Sequence, residues 1–230
     1  MEAIVLAGGL GTRLRSTVPD LPKAMAPVCG RPFLEILLVS LAEKGCSRAV
    51  LSLGYLADRI QDHFGPRFAG IELAYEVEST PLGTGGALRQ ALVRCKADHV
   101  LVLNGDTYLN LEIENVESRW QQSRRPILIA REVEDTSRYG RLVTAGDRLV
   151  GFTANGVPGR GLINAGHYVL PRDIARFFPA AEAFSLESDF LVKAADGCPF
   201  EVFTTRGQFI DIGVPEDYRR AQSDLLPLCQ

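Results

Sequence analysis

The sequence predicts a three-layer α/β fold in which a mostly parallel, mixed sheet is flanked by helices. Two observations predict it. Through the first half, short runs rich in Val, Ile and Leu alternate with amphipathic stretches of helical period, the pattern of βαβ units. The second half changes to strands without intervening helices, which reads as a small antiparallel lobe added to that sheet.

In chain order, a strand over 2–7 runs into a glycine loop. It is followed by a helix over about 33–44, a strand at 48–53, a helix over about 55–64, a strand at 71–77, a helix over about 84–95 and a strand at 99–104. Sheets of this kind hold ligands beyond the carboxyl ends of their strands, which marks the loops after residues 7, 53, 77 and 104. Residues 126–133 read as a strand, 140–144 and 148–152 as a hairpin around Ala145-Gly146-Asp147, and 164–170 as another strand. Residues 186–195 are a helix candidate and 200–204 and 208–212 are strands. Pro215 opens a last helix at its first turn.

With 230 residues, 46% hydrophobic and 23% charged, the chain can bury a proper core as a single domain over 1–230. A net charge of -3 argues against a nucleic-acid partner, so cations that meet phosphate must be local. Cys29, Cys46, Cys95, Cys198 and Cys229 are odd in number and lack C-x-x-C spacing, and His63, His99 and His167 are scattered. Neither a disulfide framework nor a zinc site is indicated. No basic leader and no apolar span of about 18 residues is present, so no membrane partner and a cytoplasmic location are expected. There are no internal repeats.

The first strand ends in Leu6-Ala7-Gly8-Gly9-Leu10-Gly11-Thr12-Arg13-Leu14, with Pro22-Lys23 ten residues after the arginine. Glycines let backbone N–H groups approach phosphate oxygens, and Arg13 and Lys23 neutralise charge that the loop alone could not. The dinucleotide fingerprint G-x-G-x-x-G fails, because its third glycine would be Leu14, and no Gly-Lys-Ser or Gly-Lys-Thr of a P-loop occurs. Leu103-Asn104-Gly105-Asp106 places an acid at a strand end where polyphosphate would lie. Magnesium takes one or two carboxylates plus phosphate oxygens, so Asp106, with Asp211 from Gln208-Phe209-Ile210-Asp211-Ile212-Gly213, could hold it. The bland reading of each is a turn aspartate.

These segments resemble the sugar-1-phosphate nucleotidyltransferases, over nearly the whole chain. The resemblance implies a Rossmann-like fold of the nucleotide-diphospho-sugar transferase type. A nucleotide-binding half would span about 1–110 and a sugar-binding half about 111–230, the antiparallel lobe lying on the sugar side. It implies Mg2+ on Asp106 and Asp211, and catalysis by Arg13, Lys23 and Asp106. Nucleotide contacts would come from Leu6, Ala7, Gly8, Gly9, Gly11 and Thr12, and from Glu78, Pro81, Gly83 and Thr84 in a P-L-G-T segment under the base. Thr84 could also be a plain helix cap. Sugar-side contacts are implied at Gly140 after Tyr139, at Asn164 and Gly166, and at Glu187. Many relatives carry a lysine in an E-K-P segment that grips the sugar's phosphate, but Ala154 and Asn155 stand there. Asn155, Arg160 and Lys193 are the remaining candidates, with the two cations as readily solvated surface charges.

Glu78 speaks to the nucleotide. Guanine presents two adjacent donors, N1–H and the 2-amino group, that one carboxylate accepts together, whereas uracil and thymine suit an amide and their relatives tend to carry glutamine there. GTP is therefore favoured, a preference that vanishes if Glu78 is a solvated strand-end charge, which its position also permits. The implied reaction is GMP transfer from GTP to a sugar 1-phosphate for bacterial surface polysaccharide. By overall likeness that sugar is D-glycero-α-D-manno-heptose 1-phosphate, by a monomer or homodimer. Mannose-1-phosphate guanylyltransfer and N-acetylmuramate-1-phosphate uridylyltransfer are the alternatives. From other classes come a non-catalytic sugar-nucleotide sensor, prompted by the missing lysine, and a dinucleotide-dependent oxidoreductase, weakened by Leu14.

Overall fold

The computed structural model describes residues 1–9, 11–14, 17–153 and 156–229, the side chains of 194–196 lying outside that description. Strand β1 (Glu2–Leu6) is followed, after the glycine loop, by a 3-10 turn at Lys23–Met25. A hairpin of β2 (Pro27–Val28) and β3 (Arg31–Pro32) then turns through Cys29 and Gly30, both at positive φ as a two-residue hairpin turn requires. Helix α1 (Phe33–Glu43) buries Phe33, Leu34, Ile36, Leu37, Leu38 and Leu41, a wide apolar stripe, and ends ahead of Gly45 at φ +78°.

The first half continues as β4 (Arg48–Leu53), α2 (Ala57–Phe64), β5 (Arg67–Phe68), β6 (Ile71–Val77), α3 (Gly83–Val93) and β7 (His99–Asn104). Then come β8 (Thr107–Leu109), α4 (Ile113–Ser123), β9 (Ile127–Val133), β10 (Leu142–Ala145), β11 (Arg148–Phe152) and β12 (Gly161–Pro171). Strands β13 (Glu201–Thr205) and β14 (Phe209–Asp211) precede α5 (Pro215–Asp224), which carries Pro215 at its first turn and Glu216 and Asp217 beside its positive end. The helix expected at 186–195 is instead a π turn, Leu186–Phe190, continued by a 3-10 turn, Leu191–Asp196. The wider turn brings Leu186, Phe190 and Leu191 to the buried side together.

Ten strands form one sheet in the order β10-β11-β13-β9-β12-β7-β1-β4-β6-β5. β7, β1, β4 and β6 are mutually parallel, β12 runs against both β7 and β9, and β9 and β13 are parallel. The β10–β11 hairpin pairs with β13, so the antiparallel additions extend the sheet itself. Separate small sheets are made by β8 with β14 and β2 with β3. One face of the large sheet packs under α1, α2, α4 and α5, around Phe33, Trp120 and Tyr218. The other packs under α3 and the 172–196 segment, around Leu88, Phe184 and Phe190. No described helix is long and apolar enough to cross a membrane.

Away from the glycine loop, Glu2 ties the starts of the central strands. Its carboxylate accepts the Lys96 and Ala97 N–H groups (2.7 and 2.6 Å) and Nη1 of Arg48 on β4 (2.9 Å). Burial raises its proton affinity, but the backbone and Arg48 bonds outweigh it and hold the carboxyl below its ordinary 4.5. Since the folded value is the depressed one, the stabilisation is present above 4.5 and lost as pH falls through the folded value. Glu2→Gln is expected to cost about 1–3 kcal/mol in urea unfolding at neutral pH. Its deficit should shrink as pH drops below 4.5.

Candidate active site

β1, β4 and β7 end side by side, with Leu6 opposite Ser52 and Asn104. Their end loops are stitched together by backbone bonds: Ala7 N–H to Ser52 O, Gly105 N–H to Leu6 O and Glu78 N–H to Leu53 O, each 2.8 Å. At this spacing side chains do not fit. A Cβ on Gly8 would lie 2.6 Å from Glu78 Oε1, one on Gly54 2.7 Å from Gly8 O, and one on Gly105 2.8 Å from Ala7 Cβ.

The loops enclose a cavity of about 590 Å3. Leu6, Ala7, Gly8, Gly9, Gly11, Thr12, Arg13, Lys23, Glu78, Pro81, Gly83, Thr84 and Asp106 all line it, so the structure brings the expected nucleotide-side and catalytic residues to one surface. Gly54, Tyr55, Asn104, Gly105 and Gly213 line it too, although none was singled out from the sequence. Their signal was positional: Gly54 and Tyr55 directly follow a strand end, Asn104 and Gly105 precede Asp106, and Gly213 closes the D-x-G around Asp211.

The charged centre of this surface is an ion pair between Lys23 Nζ and Asp106 Oδ2, whose side chains are only 12% and 31% exposed. Gly11, at φ +60°, permits it, since a Cβ there would sit 2.9 Å from Lys23 Cβ. Pairing of β14 with β8 sets Asp211 opposite Thr107, and Ile212 N–H donates to Asp106 O (3.0 Å). Burial first, then the Asp106 charge, raises the proton affinity of Asp211, with Lys23 and the Gly213 N–H opposing. Two carboxylates thus converge with hard oxygen donors, a set that suits magnesium completed by phosphate and water. Among the described residues no group of three or more His, Cys, Asp or Glu could hold a metal alone. Arg13 is exposed on the cavity, and no described carboxylate pairs with it.

At the other end of the cavity Glu78 Oε2 accepts the Leu82 N–H (2.9 Å), while Oε1 faces Gly8. Burial raises its proton affinity against that bond. Thr84 does not cap α3, whose N-cap position is Leu82. Its hydroxyl instead accepts the Leu186 N–H (2.9 Å).

Asn164 and Gly166 lie on a bulge of β12, where register passes from Asn164 opposite Ala130 to His167 opposite Ile129. Gly166, at φ +67°, lies where a Cβ would be 2.5 Å from Asn104 Nδ2. Asn164 Nδ2 donates to Tyr168 OH (2.6 Å) and to Glu187 Oε1 (3.1 Å). Glu187 is open to solvent on one side but crowded on others. Burial, then the charges of Asp106 and Asp211, pushes its proton affinity up. Tyr168 was missed, though it lies four residues along the strand from Asn164. Gly140 follows Tyr139, a half-buried phenol pushed up by burial and, more weakly, by Asp211. Arg160 lies off the cavity, in a second pocket, and is bonded to Glu132 (2.9 and 3.1 Å). Lys193 is exposed on the turn after Glu187, and Ala154 and Asn155 lie outside the described residues.

A family model described as nucleotidyl transferase matches residues 2–227. A D-glycero-alpha-D-manno-heptose 1-phosphate guanylyltransferase of Aneurinibacillus thermoaerophilus is 38% identical over 226 residues, 98% of each chain. One of the same name from Campylobacter jejuni is 37% identical, over 95% of this chain and 97% of its own. The crystal structure of HddC from Yersinia pseudotuberculosis superposes with a TM-score of 0.88 at 38% identity, covering 97% of this chain and 99% of that one. A second crystal structure of HddC, complexed with GMP-PN, superposes at 0.86.

The crowding at Gly8 gives a test that needs no substrate. Gly8→Ala is expected to lower unfolding stability in urea by about 1–3 kcal/mol by overpacking against Glu78 and Gly54. Gly9→Ala, whose Cβ would meet nothing within 4 Å, is expected to change it by less than about 0.5 kcal/mol.

Proposed function

The chain belongs to the nucleotidyl transferase family, and from that premise we propose that it transfers GMP from GTP to a sugar 1-phosphate. The sugar we propose is D-glycero-α-D-manno-heptose 1-phosphate, the products a GDP-sugar and pyrophosphate. The observation that carries this reading is the single cavity joining the glycine loop, the Lys23–Asp106 pair and Glu78. The likeness to two heptose 1-phosphate guanylyltransferases supports the choice of nucleotide and sugar.

In the proposed reaction a sugar-phosphate oxygen attacks the α-phosphorus in line, and the bond from that phosphorus to the bridging oxygen of pyrophosphate breaks. Such transfer needs positioning and charge neutralisation more than covalent help. The backbone at Gly8, Gly9 and Gly11, with Thr12, cradles the triphosphate over Leu6 and Ala7, and Arg13 neutralises the leaving pyrophosphate. Lys23, held in place by Asp106, stabilises charge on the α-phosphate. Asp106 and Asp211 would hold Mg2+, which supplies charge neutralisation and alignment of phosphate oxygens when bound. Glu78 accepts the two guanine donors, with Pro81, Gly83 and Thr84 beneath the base. Asn164, Gly166, Glu187 and Gly140 face the sugar. Of the candidates for the sugar phosphate, Arg160 is engaged by Glu132 and lies off the cavity, Lys193 is exposed, and Asn155 lies outside the described residues; we favour Lys193. The cavity lining comes from residues 6–106 and Gly213, which supports a nucleotide half of about 1–110; in the same single domain we assign the sugar half to about 111–230. We place the reaction in the cytoplasm, where it would feed surface polysaccharide synthesis.

Pyrophosphate release measured with GTP, UTP, CTP and dTTP against a panel of sugar 1-phosphates is expected to be fastest with GTP and the heptose. Binding without turnover would instead mark a sensor. Arg13→Ala and Lys23→Ala are each expected to lower turnover by about a hundredfold or more with an unchanged circular dichroism spectrum. Near-normal turnover in either removes its role. Glu78→Gln is expected to erode the ratio of GTP to UTP use, and an unaltered ratio takes Glu78 out of base reading.

A further inference from the structure

The first turn of α3 carries Gly83, Gly85 and Gly86, and each is packed against the segment running from Phe178 to Leu186. A Cβ on Gly83 would lie 2.6 Å from Phe184 O, one on Gly85 2.1 Å from the Phe184 ring, and one on Gly86 2.5 Å from Glu182 O. The segment is laced to the helix start like an added strand. Phe184 N–H donates to Leu82 O (2.9 Å), Gly85 N–H to Phe184 O (3.0 Å) and Leu186 N–H to Thr84 Oγ1 (2.9 Å). One turn further along α3, the Arg89 guanidinium lies over the Phe184 ring, 4.8 Å from its centroid. It donates to Ala181 O (2.9 Å) and to Pro179 O. The next residue after this strap is Glu187, whose carboxylate accepts from Asn164.

We infer that Arg89 and Phe184 are positioning residues for the sugar, fixing the strap to α3 and so holding Glu187 beside Asn164, where the proposed sugar would lie. The inference rests on the proposed sugar role of Glu187. Its physical basis is that Glu187 follows the strap directly. Among the described side chains Asn164 and Tyr168 aim it, and a strap free to shift by an ångström would misplace the carboxylate. Gly83 and Thr84 both line the cavity and touch the strap, so the strap is anchored on the nucleotide side and runs from there to Glu187. Neither Arg89 nor Phe184 lines the cavity, so neither is expected to touch substrate.

The test compares the unsubstituted chain with Arg89→Met, which keeps an apolar stem over Phe184 and removes the donors, and with Gly85→Ala, whose methyl displaces the ring. The KM for the sugar 1-phosphate is expected to rise about tenfold in both, with the KM for GTP changed by less than about twofold. Hydrogen exchange is expected to quicken at the Phe184 and Leu186 amides while those of Leu88 and Ala91 keep their protection. A sugar KM left unchanged, an equal rise in both KM values, or unaltered exchange at Phe184 and Leu186 overturns the inference. If the unsubstituted chain turns over and only the variants' sugar KM fails to move, the positioning role alone is lost. If the unsubstituted chain turns over no sugar 1-phosphate at all, the proposed function falls and the inference falls with it.

Discussion

The ion pair between Lys23 and Asp106 joins the loop after β1 to the end of β7, and the electrostatics of the cavity are organised around it. Asp211 and Glu187 both feel the Asp106 charge, and both carboxyls bind protons more tightly than usual because of burial and that neighbour. Asp106 and Asp211 share one ammonium, Lys23, which leaves an excess of negative charge between them. A protein tolerates such an excess in a half-buried place where something positive completes it. A divalent cation matches the deficit in sign, and oxygen donors are the kind magnesium takes, which is why the proposed metal belongs between Asp106 and Asp211. Lys23 alone can satisfy only one of them.

That charge centre exists only because the strand ends approach so closely. Gly8, Gly54 and Gly105 each sit where a methyl group would collide with a neighbouring loop, and the backbone bonds among Leu6, Ala7, Ser52 and Gly105 fix the approach. The parallel register of β1 between β4 and β7 therefore reaches into the site, since the strand ends that pair Leu6 with Ser52 and Asn104 aim the loops. At the opposite end Glu2 holds the starts of the same strands, so both ends of the parallel unit are pinned by polar groups.

Much of this was legible in the sequence, and the parts that were not have physical reasons. The buried parallel strands read clearly because apolar runs such as 48–53 and 99–104 admit few alternatives. Helix α4 did not, because only Ile113, Val116 and Trp120 mark its inner face in an otherwise polar stretch, a stripe too narrow to declare a helix. The β2–β3 hairpin was equally silent, being two residues per strand around a Cys29–Gly30 turn. Asp106 was placed from its strand end alone, whereas bringing Asp211 to it required the antiparallel pairing of β14 with β8, which local pattern does not encode. Gly83, in the P-L-G-T segment, was read as lying under the base. Gly83 does line the cavity, but Gly85 and Gly86 make room for the strap, a long-range contact no spacing rule contains.

On the guanine reading, selectivity comes less from attraction than from what a wrong base would leave behind. Glu78 has one oxygen committed to the Leu82 N–H, and its environment already disfavours the bare charge, as its raised proton affinity records. A base offering two adjacent donors satisfies the remaining acceptor capacity. A base presenting an acceptor toward it would bury an unpaired carboxylate against a lone pair, a far larger penalty than a lost contact in water. Sites built to hydrogen-bond a polar group reject ligands that lack it by wide margins for this reason. Gly8 sharpens the effect. Because a Cβ at Gly8 would lie 2.6 Å from Glu78 Oε1, only a glycine there leaves the carboxylate its place beside the loop. On that reading the loop proposed to cradle phosphate also makes room for the proposed base-reading carboxylate.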